Sequence, residues 1–220
     1  MLIKYNGEHK FIFVANTKCA SASIEKSKIA EVSDIKEVHL SRDKHLPIED
    51  IYTKYSGVFE NYKFEYFFKF GVIRNPLDWI VSWYNFRSRP ELKDPNHPTH
   101  RNYTGEMTFA DFWHSTKNNK FFVRGQSPMF FSPDNNSIKV NYLAKLETLI
   151  EDLSRIKGIL GIDSLDIPKV NTSIVRITSD NVEESIKKEI TTKYSRDYEL
   201  INNLESFNSE GLELFKNRTF

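Results

Sequence analysis

The chain has 220 residues, of which 39% are hydrophobic and 14% aromatic, and this composition excludes a disordered or fibrous protein. A chain of this length buries roughly 70% of its unfolded surface without cross-links, so we expect a single domain over residues 1–220. Its 31 lysine and arginine residues are balanced by 30 aspartate and glutamate residues. Because this balance excludes a global field that attracts nucleic acid or an anionic membrane, we expect a local cluster to hold any anionic ligand.

Two features of the sequence bear on its location. Cys19 is the single cysteine, so no intrachain disulfide can form and a reducing compartment is favoured. Residues 1–7 lack the apolar core of a signal peptide, and no later stretch approaches the length of a membrane span. We therefore expect a cytoplasmic protein without a membrane span, and we leave its oligomeric state open.

The predicted elements alternate between strands and helices. We expect strands over 11–16, 37–40, 66–73 and 138–144, and helices over 24–30, 47–52, 76–86, 108–113, 146–160 and 182–204. A long loop over 88–107 separates the two halves of the pattern. The alternation predicts the α/β class, as a three-layer α/β/α fold around a central parallel sheet of about four or five strands.

A candidate anion site follows the first predicted strand. Residues 16–23 read Asn-Thr-Lys-Cys-Ala-Ser-Ala-Ser, a run of small residues that leads into a helix. Such a loop presents backbone N–H groups and the positive end of the helix dipole to an anion. Lys18 adds a full charge, and Ser21 and Ser23 add hydroxyl donors. The order of a Walker A loop is absent, and the alternative is a surface lysine beside an ordinary helix cap.

A second candidate site follows the strand over 66–73. Arg74 comes directly after this strand, at the end where open α/β sheets bind ligands, and its guanidinium can grip a phosphate with two hydrogen bonds. Ser82 lies about two turns into the following helix. The alternative is a structural ion pair between Arg74 and Asp78, with Ser82 on the helix surface.

Together the two stretches resemble the carbohydrate-type sulfotransferases, whose signatures are a lysine-containing loop after the first strand and an Arg-Asn-Pro-x-Asp run. Further landmarks of that family occur in the same order, at residues 44–47, 126–129, 146–153, 168, 171–173 and 194–198. The resemblance extends over roughly residues 11–204. It implies a P-loop-like fold that transfers the sulfuryl group of 3′-phosphoadenosine 5′-phosphosulfate to a hydroxyl group, with a carbohydrate as the acceptor.

The resemblance also implies a role for each matching residue. The 5′-phosphosulfate would be held by the loop residues Lys18, Cys19, Ala20, Ser21, Ala22 and Ser23. Arg74 and Ser82 would hold the 3′-phosphate, and Arg124 is a candidate for a second phosphate contact or a surface arginine. Lys18 would also stabilise the charge that develops on the bridging oxygen as the sulfuryl group leaves.

Two histidines are candidates for the general base. The resemblance implies that His45, or in second place His39, takes the proton of the acceptor hydroxyl, and the unperturbed pKa of histidine suits this task. The alternative for His45 is a loop histidine without a catalytic role. We expect no metal, because in-line sulfuryl transfer needs positioning and charge stabilisation, and the histidines and the cysteine lack zinc-ligand spacing.

Three residues depart from the family pattern. Ala20 and Ala22 stand where glycine and threonine are usual, so that a hydroxyl donor and some backbone freedom are lost. Trp79 replaces a common arginine. The loop over 88–107 is a candidate acceptor cleft for an acidic saccharide, and the alternative is a solvated loop. The residues in or beside it that would contact such an acceptor are Arg87, Arg89, His97, His100 and Arg101. Three aromatic residues are candidates for a stacking platform or for the core: Tyr84, Phe86 and Trp113.

Two other functions compete with sulfuryl transfer. A nucleotide-dependent kinase would need a magnesium site, for which neither a Walker A serine or threonine nor a matching acidic strand end is found. A non-catalytic nucleotide-binding protein on the same fold is the other rival, and the alanines at positions 20 and 22 are its best support.

Overall fold

The computed structural model describes residues 1–38, 41–134, 137–170 and 175–218. The strands of these residues are β1 (Leu2–Lys4), β2 (Phe11–Val14), β3 (Ile35–Lys36), β4 (Phe68–Ile73) and β5 (Tyr142–Lys145). The α-helices are α1 (Ser21–Ile24), α2 (Lys28–Glu31), α3 (Ile48–Lys54), α4 (Ser56–Asn61), α5 (Pro76–Arg87), α6 (Phe109–Thr116), α7 (Leu149–Ile156), α8 (Glu184–Lys193), α9 (Ser195–Asn202) and α10 (Leu204–Lys216). Within the described ranges, no helix combines the length and the apolar character that a membrane crossing requires.

The chain forms two compact units that alternate along the sequence. Unit 1 comprises Met1–Arg74, Gln126–Asn171 and Leu200–Phe220, and unit 2 comprises Asn75–Gly125 and Thr172–Glu199. Helix α9 therefore begins in unit 2 and ends in unit 1. The expectation that residues 1–220 form one domain stays a prediction.

The sheet of unit 1 has the strand order β3-β1-β2-β4-β5. Strands β2, β4 and β5 run parallel, which confirms the predicted α/β class and its parallel centre. The sheet also has an antiparallel edge that the sequence did not indicate, because β1 pairs antiparallel with both β2 and β3. Strands β1 and β3 have only three and two residues, which are too few for a hydrophobic alternation to indicate a strand. The strand predicted over 37–40 is found at Ile35–Lys36 instead, and residues 39–40 lie outside the described ranges.

The two central strands are buried along their whole length, as expected of parallel strands covered on both faces. The rings of Phe13 and Phe70, one from each strand, lie 5.3 Å apart. The core of unit 1 is therefore built around β2 and β4, and it holds the carboxyl ends of these strands in fixed positions.

Unit 2 begins with a well-capped helix. The Asn75 side chain accepts a hydrogen bond from the Leu77 N–H at 3.0 Å, and Pro76 occupies the first helical position of α5, a combination that favours helix initiation. Trp79 is 1% exposed and packs edge-on against Phe122. The tryptophan that replaces the family's arginine is thus a core residue of unit 2.

The sequence between α5 and α6 contains two short 3₁₀ helices, Pro90–Lys93 and His100–Asn102. Thr108 caps α6, because its hydroxyl accepts a hydrogen bond from the Asp111 N–H at 3.1 Å and donates to the Asp111 carboxylate at 2.7 Å. This cap ends the long loop and starts α6 at Phe109.

Within unit 1, helix α10 packs closely against the backbone of Asn141 at a glycine, and we predict that Gly211→Ala destabilises the protein. An added Cβ would lie 2.0 Å from the backbone oxygen of Asn141, and overpacking of this kind costs about 1–3 kcal/mol. Gly57→Ala is a matched control, because Gly57 is in α4 and nothing lies within 4 Å of its added Cβ. Urea denaturation should show a lower free energy of unfolding for the first variant and a gain of up to about 1 kcal/mol for the second. Equal stability of the two variants would contradict the close approach of α10.

Candidate functional site

The loop after β2 has a backbone shape suited to anions. Lys18 and Ala20 both adopt left-handed conformations, with φ of 59° and 55°, and they flank Cys19. Alternating left- and right-handed residues turn successive N–H groups towards one concave side, an arrangement that binds anions. Helix α1 starts at Ser21, where the Ser23 N–H donates to the Ala20 carbonyl at 2.9 Å and the N–H groups of Ser21 and Ala22 precede the first acceptor that the helix offers. The loop predicted from the sequence is therefore present in the structure with the geometry of an anion site.

Ala20 retains the conformation that glycine usually supplies. A left-handed conformation costs a non-glycine residue roughly 1–2 kcal/mol, so the alanine preserves the turn at the expense of strain. The departure from the family pattern at this position therefore changes stability more than it changes the shape of the loop.

The two serines of the loop are buried, each with 8% of its surface exposed. The Ser23 hydroxyl oxygen accepts a hydrogen bond from the Val170 N–H at 3.4 Å, which leaves its own O–H available to donate. Lys18 is half-buried. These side chains place one formal positive charge and two hydroxyl groups along the loop.

Arg74 and the anion loop both follow the carboxyl ends of neighbouring strands. Strands β2 and β4 are parallel neighbours, and Val14 pairs with Gly71 at the end of the ladder. Asn16 and Arg74 are therefore the residues with which the chain departs from two adjacent strands. Adjacent carboxyl ends form the crevice in which open α/β sheets bind ligands.

Gln126 joins these two strand ends through its side-chain amide. Its Oε1 accepts hydrogen bonds from the Arg74 N–H at 3.1 Å and from Asn16 Nδ2 at 3.0 Å, and its Nε2 donates to the Arg74 carbonyl at 2.7 Å. Cys19 Sγ donates to the same Oε1 at 3.3 Å. Asn16, Cys19 and Gln126 are each at most 2% exposed, so water does not compete for these bonds.

From the sequence, Gln126 is only part of a segment that matches the family, and no role follows for it. No local pattern indicates its partners, because Arg74 and Asn16 lie 52 and 110 residues away along the chain. The one available signal is the position of this polar residue between two pairs of phenylalanines, at 121–122 and 130–131.

His45 is fixed beside the end of β2. Its Nδ1 lies 2.6 Å from the carbonyl oxygen of Ala15, and a carbonyl can only accept, so Nδ1 carries the proton and Nε2 is the basic nitrogen of the neutral ring. Burial is the main cause that lowers the pKa of His45 below the ordinary value of 6.5, and the neighbouring Lys44 charge acts in the same direction against the bond to Ala15. The imidazole is therefore neutral at pH 7 and able to accept a proton.

An ion pair ties the His45 segment to the anion loop. Lys44 Nζ lies 2.6 Å from Glu25 Oε1, and the two side chains are 14% and 8% exposed. Glu25 follows α1 directly. Removing one partner of a buried ion pair would leave an uncompensated charge. The pair therefore holds Lys44, and with it the neighbouring His45, close to the end of α1.

The other predicted site residues are distributed as follows. Ser82 is on α5 and Arg124 is an exposed residue, both in unit 2, so their predicted phosphate contacts stay predictions. His39 lies outside the described residues. Tyr84 and Trp113, 3% and 1% exposed, are core residues of unit 2, whereas Phe86 lines a cavity in that unit.

The arrangement in unit 1 has a defined chemical capability. A half-buried lysine, buried hydroxyl groups and a left-handed backbone turn lie at one strand end, an arginine lies at the neighbouring strand end, and a neutral histidine is held at the carbonyl of Ala15. Such a site can bind an extended anion at two points and accept a proton nearby.

Comparison with known proteins identifies the family of the chain. The sequence matches the profile of the Sulfotransferase family over residues 1–216. No curated protein and no solved structure shows a significant match to it. The family profile covers almost the whole chain, including both strand ends and the His45 segment, and the chain therefore belongs to the sulfotransferase family.

Proposed function

We propose that this chain transfers the sulfuryl group of 3′-phosphoadenosine 5′-phosphosulfate to a hydroxyl group of a carbohydrate. The observation that carries the proposal is the pairing of two anion-binding elements at adjacent strand ends, the loop with Lys18 and the strand end with Arg74, joined through Gln126. Two separate points of contact suit a nucleotide that carries anionic groups at both its 5′ and 3′ positions. The acceptor class rests on the resemblance of the motifs to carbohydrate-type sulfotransferases.

Each residue of the proposed site has a distinct task. The backbone of residues 18–22 and the Ser21 and Ser23 hydroxyls bind the 5′-phosphosulfate, and Arg74 binds the 3′-phosphate. Lys18 neutralises the charge that builds up on the bridging oxygen while the bond from that oxygen to sulfur breaks. The acceptor oxygen forms the new bond to sulfur, and its proton goes to Nε2 of His45. Ser82 and Arg124 would add to the hold on the 3′-phosphate, a role that rests on the sequence.

The pH dependence of turnover tests the role of His45. Because its pKa is lowered below 6.5, the neutral base persists below that pH, and we predict that the acid limb of kcat/KM lies below pH 6.5.

The lowered pKa of His45 also affects the stability of the protein. The unfolded chain binds this proton more readily, so the contribution of His45 is complete above about pH 6.5 and is lost as the pH falls through the lowered pKa. His45→Gln should remove both the acid limb and this part of the pH dependence of stability. An unchanged acid limb in the variant would contradict its role as the base.

Ligand binding tests the proposed donor. We predict that 3′-phosphoadenosine 5′-phosphate raises the melting temperature more than ADP or AMP do, because at equal concentrations the ligand with the lower Kd stabilises the native state more. Arg74→Gln should abolish the difference between 3′-phosphoadenosine 5′-phosphate and AMP. Equal shifts with all three nucleotides would contradict a dedicated 3′-phosphate site. Turnover that requires magnesium and ATP would favour the kinase alternative instead.

A further inference from the structure

Unit 2 contains a cavity of about 220 Å³ at the C-terminal end of α5. Three of the seven residues that line it are aromatic, namely Trp83, Phe86 and Phe121, and the others are Arg87, Leu92, Thr99 and Asn102. The rings of Trp83 and Phe121 meet edge to face, with centroids 5.0 Å apart, and Trp83 makes a similar contact with Phe86 at 5.7 Å. Phe121 is 42% exposed. The three aromatic side chains thus contact one another, and that of Phe121 is also exposed to solvent.

Arg87 lines the same cavity and differs from the neighbouring arginines. Its guanidinium lies 5.0 Å from the Phe122 ring and 5.4 Å from the Trp83 ring, and within the described part of the chain no carboxylate pairs with it. Arg89 donates to the Phe86 carbonyl at 3.1 Å and lies 3.8 Å from Glu91. Two aromatic faces attract the Arg87 charge, but they do not neutralise it.

Partial burial increases the tendency of this arginine to attract an anion. Burial lowers the pKa of Arg87, yet a guanidinium remains charged in a protein. A charge that is partly removed from water and lacks a counterion gains most from an anion that completes its hydrogen bonds. The planar guanidinium fits the two oxygens of a carboxylate or a sulfate group.

The volume of the cavity limits what it can hold. An apolar cavity of roughly 150 Å³ accommodates benzene, whereas sites for drug-sized ligands have about 300–1,000 Å³. The value of about 220 Å³ therefore suits one six-membered ring with a small substituent. Aromatic walls pack equally well against an aryl ring and against the apolar face of a sugar.

We propose that this cavity binds a single ring that carries a carboxylate or sulfate group, with the ring against Trp83 and Phe121 and the anion on Arg87. The chemistry is shared by two sources, sugar acids and aryl acids. The site lies within unit 2 and is formed by its residues alone, so the proposal does not depend on sulfuryl transfer.

The binding experiment uses the whole chain and the fluorescence of Trp83. The other two tryptophans, Trp79 and Trp113, are each 1% exposed, so a ligand in the cavity acts mainly on Trp83, and a Trp83→Phe variant checks the origin of the signal. The anionic probes are glucuronate, benzoate and phenyl sulfate. Methyl glucoside and benzyl alcohol are the neutral counterparts, and free sulfate tests the anion without a ring.

We expect at least one ring acid to bind at about millimolar concentration. Arg87→Gln should weaken it at least about tenfold, since a charge-assisted hydrogen bond is lost, and the matched control Arg89→Gln should leave it within about twofold. Tighter binding of glucuronate identifies a sugar acid as the ligand class, and tighter binding of benzoate or phenyl sulfate identifies an aryl acid.

Several results would overturn the proposal. Equal binding of the neutral rings would exclude a role for the charge, and equal binding of free sulfate would exclude a role for the ring. No binding at about 10 mM of any ring acid, or an equal loss in the Arg87 and Arg89 variants, would also contradict it. If Arg87→Gln does not fold, Phe121→Ala removes a partly exposed wall instead, and unchanged affinity in that variant would exclude the cavity as the site.

Discussion

Replacing Lys18 by alanine is expected to lower kcat by at least about 100-fold, because the lysine neutralises charge that appears only in the transition state. The effect should fall on kcat, with a smaller change in the affinity for 3′-phosphoadenosine 5′-phosphate, since the loop backbone and Arg74 still bind the two ends of the nucleotide. Alanine adopts the left-handed conformation of position 18 (φ 59°) no less readily than lysine does. The melting temperature should therefore change little, and single-turnover kinetics would measure the chemical step directly.

Lys26→Ala is the matched control for this variant, because Lys26 is exposed and lies outside the loop. It should leave kcat within about twofold, as surface substitutions generally do. A kcat that is retained in Lys18→Ala would contradict a role in the transition state. An increase in KM alone would show that Lys18 contributes uniform binding of donor and transition state instead.

Replacing Gln126 by leucine is expected to destabilise the protein by about 2–5 kcal/mol, because it leaves two backbone groups without partners at roughly 1–3 kcal/mol each. These groups are the N–H and the carbonyl of Arg74, whereas the Asn16 amide keeps its hydrogen bonds to Cys19 Sγ and the Val72 carbonyl. We also expect weaker binding of 3′-phosphoadenosine 5′-phosphate, because Gln126 positions the backbone from which the Arg74 side chain extends. Urea denaturation measures the first effect and calorimetric titration the second.

Asn208→Ala separates positioning from stability. The Asn208 amide makes the same two-bond contact with a backbone, donating to the Leu143 carbonyl and accepting from the Leu143 N–H, both at 2.9 Å. This contact of Asn208 is with β5 and lies outside the two strand ends that form the proposed site. Both variants should lose stability, and only the Gln126 variant should lose nucleotide affinity. Equal affinities in the two variants would reduce Gln126 to a structural role. Asn16→Ala removes one donor to the same amide and provides a milder test if Gln126→Leu does not fold.

The parts of the fold that could be predicted are those with a local signal. An uninterrupted apolar run indicated β2 and β4, and Asn75 with Pro76 indicated the start of α5, where the cap and the proline are found. The predicted helix over 24–30 is divided into α1 and α2. Helix α10 was missed, and it contains Gly211, a poor helix former that is required because the chain approaches the Asn141 backbone at this point.

The candidate site shows the same division. Lys18 and Arg74 could be found from the sequence because Arg74 directly follows a recognisable strand and Lys18 lies in the short loop after another. The hydrogen bond of His45 to Ala15 and the contacts of Gln126 could not be found, because a side chain that bonds to a distant backbone group leaves no periodic pattern. The sequence also could not decide whether Tyr84 and Phe86 are core residues or part of a stacking platform. Helical spacing does not distinguish the buried Tyr84 from Phe86, which lines the cavity.

Neighbouring residues were enough to predict the α/β class, the loop with Lys18, the strand end with Arg74 and the family, because buried strands, helix caps and short motifs are local patterns. The folded chain was needed to show that β1 adds to the sheet in the antiparallel direction, that Nε2 is the basic nitrogen of His45, and that Gln126 links Asn16 to Arg74. These three features depend on hydrogen bonds between segments that lie far apart in the sequence. Such bonds form when folding buries a donor and an acceptor together, so that they bond to each other in place of water.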